Sequence, residues 1–175
     1  TGIIKILSLM NAKIYLKNKR NYRGELIGDI LVSSSRNLKG VNCPKGLNSS
    51  AIDEFLIIFL VAAKSKGVST FSDLGELNKK ESPRLEIALN FLQMIGVKYS
   101  RNKNNIKIYG KGLFETYKKI YVKNLGDHRI CMSTFVLASI IGAKAKIKNF
   151  ETVNTSSPSF LKIMKQLGAN FEIQK

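Results

Sequence analysis

The sequence predicts a mixed fold of the α/β (α+β) class, built from a repeated supersecondary unit. Two passages of the 175-residue chain match: Asp53 and Asp127 each open a long apolar stretch, and Ser82-Pro83 and Ser157-Pro158 follow. The spacing is 74 residues between the aspartates and 75 between the prolines. A constant spacing indicates one unit used twice rather than two unrelated domains. Hydrophobic residues make up 44% of the chain, enough to fill a core.

The elements follow in order from hydrophobic periodicity. Apolar residues at helical spacing, as at Leu85, Ala88 and Leu92, predict helices, and β-branched runs bounded by polar turns predict strands. The chain opens with the end of an earlier copy, a helix at 3–10 and paired strands at 12–16 and 29–33. Each later copy reads helix, strand, helix. In the second copy, a helix from 53 to about 67 is followed by a strand run to 73 and a helix at 85–95. In the third copy, a helix from 127 to about 142 is followed by a strand at 145–150 and a helix at 160–167. Strands 98–101 and 106–109 close the second copy.

Three units are therefore expected, with mixed sheets around buried helices. Residues 1–48 form the tail of the first unit, 49–110 the second and 111–175 the third. The helix that begins at Asp53 is apolar on most faces from 55 to 61, so we expect it to be buried. The helix that begins at Asp127 should be buried in the same way.

Composition and charge limit the possible partners. Lys and Arg outnumber Asp and Glu by 29 to 12, a formal charge of +17 that favours polyanions, phosphorylated metabolites or acidic membrane surfaces. The longest apolar run, 55–63, is too short to span a membrane. The lysines are dispersed and no aromatic residues are interleaved to stack bases, so nucleic-acid binding is the weaker alternative. Cys43 and Cys131 stand far apart and form neither a zinc motif nor a redox pair.

Charged residues at the predicted helix starts suggest a site. Asp53 and Asp127 are each placed to cap a helix, and a capping aspartate can also face a cleft, so both interpretations stay open. Arg129 lies in a first helical turn, beside free backbone N–H groups that together with its guanidinium would make an anion site. The alternative is that Arg129 pairs with a nearby acid.

A second charged string, Lys80-Glu81-Ser82-Pro83-Arg84, precedes the helix at 85–95. Glu81 and Arg84 share a face if the helix has already begun, because they are three residues apart. One interpretation is that the two residues form a surface ion pair. The other is that Glu81 is a general acid/base whose proton affinity is tuned by the flanking cations.

The order of four strings resembles the 3-phosphoshikimate 1-carboxyvinyltransferase (EPSP synthase) family: Asp53-Glu54, Lys80-Glu81-Ser82-x-Arg84-Leu85, Asp127-His128-Arg129-Ile130-x-Met132-Ser133 and Ser156-Ser157-Pro158-x-Phe160. The resemblance runs the length of the chain. It implies repeated βαβαββ units that form one domain of the two-domain, inside-out α/β barrel of the enolpyruvyl transferases. The sister transferases that act on UDP-N-acetylglucosamine are less similar, because their helix-start motifs differ.

The resemblance also implies an activity and a site. Members of the family transfer the enolpyruvyl group of phosphoenolpyruvate to the 5-hydroxyl of shikimate 3-phosphate and release phosphate, in aromatic amino acid biosynthesis. Asp53 matches the residue that contacts the shikimate ring and accepts the hydroxyl proton, and Glu81 matches the second acid/base. Lys80 matches a lysine that reaches shikimate 3-phosphate, and Arg84 and Arg129 match arginines that hold phosphoenolpyruvate. Two acid/base carboxylates in a cationic, anion-binding cleft are thus expected.

In the family the active site lies between two domains, and residues of the opposite domain would precede Thr1. The chain also lacks an initiator Met. We therefore expect that the chain is a segment of a longer, cytoplasmic polypeptide. The N-terminal part of that polypeptide is then the partner of this segment, and the segment alone is expected to be inactive. No cofactor or metal is implied. The alternatives are a non-catalytic basic domain that binds anions or nucleic acid, and an inactive homologue.

Overall fold

The computed structural model describes residues 2–112, 119–120, 126–141 and 144–173. The helices within these ranges are α1 Gly2–Leu9, α2 Phe55–Lys64, α3 Arg84–Met94, α4 His128–Ile141 and α5 Phe160–Gln166. The strands are β1 Lys13–Tyr22, β2 Glu25–Ser33, β3 Lys66–Phe71, β4 Tyr99–Asn102, β5 Asn105–Lys111, β6 Lys119–Ile120 and β7 Lys144–Ala145. All five predicted helices are present, although the predicted end of the fourth, near residue 142, lies outside the described residues.

The strands form three small sheets. β1 and β2 pair antiparallel from Lys13 opposite Ser33, which confirms the predicted pairing and extends it to the turn at Tyr22. β5 lies between β3 and β4, antiparallel to both. Isolated parallel bridges join Lys39 to Lys66 and Asn42 to Thr70, so the segment before α2 runs alongside β3. The strand, helix, strand, helix and hairpin from 39 to 111 thus follow one another around a shared core.

Helix α2 is the centre of that core. Its side chains are buried on nearly all faces, as the all-round apolar sequence predicted. Phe55 and Phe59 pack against each other and against Phe71 of β3, with ring centroids 5.1 to 6.1 Å apart. Helix α4 is likewise mostly buried, since Ile130, Cys131 and Leu137 have almost no exposed surface. Charged groups can therefore reach solvent only at the ends of these helices.

The prediction of a strand at 145–150 was largely wrong. Only Lys144–Ala145 pairs, in parallel with Lys119–Ile120. Asn149 adopts a left-handed conformation, with φ of 53°, which ends the extended chain, and a 3-10 helix follows at Phe150–Thr155. This turn lets the ring of Phe150 pack on Phe135 and Phe160, so aromatic packing overrides the local strand preference.

Two further features of the described residues bear on the sequence predictions. No helix among them is both long enough and apolar enough to cross a membrane. Cys43 and Cys131 are buried thiols, and burial raises the pKa of both.

The hairpin β1–β2 exposes large apolar side chains. Tyr15, Leu26, Ile30 and Val32 are each more than half exposed. Apolar groups on a two-stranded ribbon are usually covered by another layer, because a hairpin alone is only marginally stable in water.

Gly40 should be essential where the 39–42 segment meets β3. A Cβ at Gly40 would lie 2.2 Å from the carbonyl oxygen of Val68, and backbone atoms cannot yield as a side chain does. Gly40→Ala should therefore lower the free energy of unfolding by about 1–3 kcal/mol, measured by urea denaturation. Gly46→Ala is the control, because no atom lies within 4 Å of a Cβ built there. Equal losses in both variants would contradict this account of the strand contact.

Candidate active site

The charged residues singled out from the sequence gather at the starts of three helices. Asp53 lies in a 3-10 turn, Ser49–Glu54, that leads into α2. Arg84 is the first residue of α3, and Arg129 is the second residue of α4. Because α2 and α4 are largely buried and α3 packs a buried apolar face against α2, the first turns of these helices are where their polar side chains can meet. The structure brings all five predicted site residues, including Lys80 and Glu81, into one cluster.

Arg84 lies at the centre of this cluster, although its side chain is only 2% exposed. Its Nε donates to Asp127 Oδ2 at 2.7 Å, and its Nη1 donates to Asp53 Oδ1 at 2.7 Å. Its Nη2 donates to Glu81 Oε2 at 2.5 Å. A guanidinium stays charged in proteins, so its burial must be compensated by carboxylates. Burial pushes the pKa of Arg84 down, but its contacts with Asp127, Asp53 and Glu81 outweigh this and raise it.

Asp127 is the most deeply buried acid of the cluster, with no exposed side-chain surface. Besides Arg84, its carboxylate accepts hydrogen bonds from Ser82 Oγ at 2.7 Å and from the backbone N–H of Arg129 at 2.9 Å. The second contact caps α4, so the capping interpretation was right, and the same side chain also faces the site. Burial pushes the pKa of Asp127 up, but the hydrogen bonds from Arg84, Ser82 and Arg129 hold it below its ordinary value.

Asp53 does not cap α2. The residue that precedes this helix is Glu54, and no side chain bonds the first turn. Instead the Asp53 carboxylate lies 2.7 Å from Arg84 Nη1, 3.3 Å from Arg129 Nη2 and 3.7 Å from Lys80 Nζ. Burial tends to raise the pKa of Asp53, but the charge of Arg129, the hydrogen bond from Arg84 and the charge of Lys80 lower it overall. Asp53 is therefore ionised at neutral pH.

The groups that were predicted to form an anion site at Arg129 are bound to acidic side chains of the chain itself. The backbone N–H of Arg129 is occupied by the Asp127 carboxylate, so it is not a free donor. The guanidinium instead pairs with Asp53 and lies 3.6 Å from Glu54 Oε1. The alternative of an arginine paired to a nearby acid is therefore the one observed.

Glu81 and Lys80 lie before α3, not within its first turn, so the shared helical face was a wrong prediction. The Glu81–Arg84 contact forms nonetheless, because the bend at 80–82 turns the Glu81 carboxylate toward the arginine. Glu81 is 63% exposed, far more than the other acids of the cluster. It is the carboxylate most easily displaced from Arg84.

Acids outnumber cations among the side chains of this cluster. Its cations are Lys80, Arg84 and Arg129, and its acids are Asp53, Glu54, Glu81 and Asp127. One negative charge remains when all of these are ionised. The positive charge of the chain lies elsewhere on its surface, because the lysines that carry it are spread along the sequence. In the part of the chain that the structure describes, no group of three or more His, Cys, Asp or Glu side chains is arranged to hold a metal ion.

A sequence profile of the EPSP synthase (3-phosphoshikimate 1-carboxyvinyltransferase) family matches residues 1–164. The chain belongs to the EPSP synthase family. It is 38% identical over 173 residues to the 3-phosphoshikimate 1-carboxyvinyltransferase of Ruthia magnifica subsp. Calyptogena magnifica, covering 98% of this chain and 39% of that protein. The corresponding protein of Legionella pneumophila (strain Lens) is 36% identical over 100% of this chain and 39% of its own length.

The fold is that of solved EPSP synthases. The structure of EPSP synthase from Acinetobacter baumannii at 2.37 Å superposes with a TM-score of 0.82 at 33% identity, over 100% of this chain and 40% of that one. This confirms the predicted α/β fold. The chain spans about two-fifths of the length of the relatives it matches.

Two site residues were not predicted from the sequence. Asp127 was considered as a cap that could also face a cleft, but not as a partner of Arg84, and Ser82 was considered only as part of a motif. For Asp127 the signal that could have found it is the matching sequence pattern, in which it stands 74 residues after Asp53. Equivalent positions of a repeat occupy similar places relative to their neighbours, so both aspartates should approach the same region.

Loss of the Asp127 carboxylate should be severe for stability. Asp127→Ala leaves the buried Arg84 without its main partner, and removing one member of a buried ion pair costs about 3–5 kcal/mol in free energy of unfolding. Glu86→Ala is the control: it removes an ion pair with Arg101 that is partly exposed, and such pairs contribute less than about 1 kcal/mol. The free energies of unfolding of both variants can be measured by urea denaturation. Similar losses in the two variants would contradict the assignment of Asp127 as the main partner of Arg84.

The lowered pKa of Asp127 also predicts acid sensitivity. A carboxyl whose pKa is lower in the folded state than in the unfolded state stabilises the fold above its ordinary value of 3.8. That stability is lost as the pH falls through the folded pKa. Unfolding free energies measured between pH 7 and pH 3 should fall at the acid end, and less steeply in Asp127→Asn. The same slope in both proteins would show that other groups dominate.

Proposed function

We propose that this chain is the C-terminal portion of a cytoplasmic 3-phosphoshikimate 1-carboxyvinyltransferase that serves aromatic amino acid biosynthesis. The reaction moves the enolpyruvyl group of phosphoenolpyruvate to the 5-hydroxyl of shikimate 3-phosphate and releases phosphate. The observation that carries the proposal is the convergence of the motif residues. Asp53, Lys80, Glu81, Arg84 and Arg129 come from separate parts of the chain and meet within contacts of 2.5 to 3.7 Å.

Asp53 is the proposed acceptor of the 5-hydroxyl proton. It is ionised and 36% exposed, so a hydroxyl arriving from solvent can donate a hydrogen bond to it. Three cations hold its pKa low, which makes it a weak base in the unliganded cluster. When the anionic groups of the substrates draw Lys80 and Arg129 toward themselves, the proton affinity of Asp53 rises. Substrate binding would thereby activate the base.

Glu81 is the proposed second acid/base, which delivers a proton to the methylene carbon of phosphoenolpyruvate and later removes one from the resulting methyl group. Its exposure and its position at a bend before α3 leave it accessible to a bound ligand. Its one contact within the cluster is Arg84, which a ligand carboxylate can take over. Such an exchange would free Glu81 at the moment the substrate binds.

Arg84, Arg129 and Lys80 are the proposed substrate cations. Arg84 is nearly inaccessible, so it can hold a ligand carboxylate only by exchanging Glu81 or Asp53 for it. Arg129 and Lys80 are about one-third exposed and can turn toward ligands directly. All three already have carboxylate partners, and binding therefore replaces one set of ion pairs by another.

The net negative charge of the cluster requires positive charge from the rest of the polypeptide. Both substrates are phosphorylated anions, and a cluster with one excess carboxylate repels them. The N-terminal part, which would face this surface across the active site, supplies those cations in the proposal. The excess of carboxylates also weakens the case for a nucleic-acid site here, because such sites neutralise phosphates with Lys and Arg.

Phosphate release tests the function. The full-length polypeptide should release phosphate only when phosphoenolpyruvate and shikimate 3-phosphate are both present. Glu81→Gln should lower the rate by a factor of about 10² to 10⁴, the usual contribution of a general acid/base. Glu86→Gln, on α3 but outside the cluster, should retain the rate.

The 175-residue chain alone should release no phosphate, because the positioning contacts of the other domain are missing. A folded full-length protein that releases none would refute the proposal and favour an inactive homologue. Retention on heparin at moderate salt would then test the anion-binding alternative.

A further inference from the structure

We infer that Asp127 is a positioning residue that aims both arginines, Arg84 and Arg129, at the carboxylate and phosphate of phosphoenolpyruvate. The inference rests on the proposed function and assigns a role to a side chain that touches neither substrate in it. Asp127 has no exposed surface, so it can act only through its partners.

The first step of the argument concerns the two edges of the Arg84 guanidinium. Asp127 holds the inner edge, with Oδ2 at 2.7 Å from Nε and Oδ1 at 3.4 Å from Nη2. The outer edge faces Asp53 and Glu81, which are 36% and 63% exposed. Asp127 therefore fixes the plane of the guanidinium from the protein side and leaves the outer edge for exchange with a ligand.

The second step is that Asp127 itself cannot rotate. Ser82 Oγ and the backbone N–H of Arg129 donate to its two oxygens, in addition to the two contacts from Arg84. Four donors fill the lone-pair sites of a carboxylate. A carboxylate saturated in this way has one orientation, and it transmits that orientation to Arg84.

The third step concerns Arg129. Its backbone N–H is bound by Asp127, so the same carboxylate sets where the first turn of α4 begins. The Arg129 side chain extends from that turn to Asp53 Oδ2. Asp127 thus fixes the backbone position of Arg129 and the plane of the Arg84 guanidinium. Its partners Ser82 and Arg84 lie 45 and 43 positions before it in the chain.

The resulting expectation is a selective defect. In Asp127→Asn, the amide nitrogen cannot accept the two hydrogen bonds that the replaced oxygen received, so both of those donors lose their acceptor. Arg84 and Arg129 would be displaced, whereas Lys80 would not. The KM for phosphoenolpyruvate should rise about tenfold or more, since small misplacements of positioning groups cost up to about a hundredfold. The KM for shikimate 3-phosphate should change less than about twofold, within the error of independent sites.

The experiment compares four full-length proteins by phosphate release: the natural sequence, Asp127→Asn, Ser82→Ala and Glu86→Gln. Ser82→Ala removes only the donor to Asp127 and should raise the KM for phosphoenolpyruvate by a smaller factor, in the same direction. Glu86→Gln should change neither KM. Rates are normalised to folded protein by near-ultraviolet circular dichroism. Equal changes in both KM values, or no change in either, would overturn the inference. If Asp127→Asn does not fold, the same comparison of the two KM values in Ser82→Ala decides.

A second readout does not depend on turnover. The Arg84 Nε–H, buried against a carboxylate, should give a slowly exchanging signal in ¹⁵N NMR of the same proteins. The signal should persist in Glu86→Gln and exchange faster in Ser82→Ala and Asp127→Asn. If the natural sequence releases no phosphate, the proposed function fails, but this signal still tests whether Asp127 holds Arg84. Unchanged exchange in both variants would show that it does not.

Discussion

The buried charge of Arg84 is the constraint on which the site depends. A guanidinium cannot shed its proton, so an almost inaccessible arginine has to be surrounded by acids or the fold loses several kcal/mol. Asp127, Asp53 and Glu81 meet that requirement from three parts of the chain. The helices that begin just after these residues cannot shift independently without uncovering the charge. Docking of α2, α3 and α4 and assembly of the site are therefore one event.

The apolar character of the helices explains why the charged groups meet where they do. Helix α2 is buried on nearly every face, and α3 and α4 carry buried residues along most of their length. Polar side chains are excluded from such surfaces, so they concentrate at first turns and in the loops before them. Backbone N–H groups also lie free at these ends and attract carboxylates, as at the cap of α4. Core packing therefore determines where the charged cluster forms.

Much of this arrangement was predictable from the sequence, and the exceptions have physical causes. The helices and the hairpin pairings follow from periodicity, which reports local burial directly. The strand predicted at 145–150 failed because Phe150 packs on Phe135 and Phe160, a contact between distant residues. The excess of acid in the cluster was missed because composition averages over the whole surface. Ser82 and Asp127 were missed because a hydrogen bond across 45 positions leaves no local pattern.

Asp53 and Asp127 stand 74 residues apart at matching positions of the sequence pattern, yet their surroundings in the structure differ. One is partly exposed and reaches three cations, and the other is fully buried and caps a helix. Two aspartates from matching parts of the sequence pattern thus meet on one arginine. Their difference in burial leaves one carboxylate open to solvent and closes the other to it, so dissolved ions and ligands can compete directly only for the first.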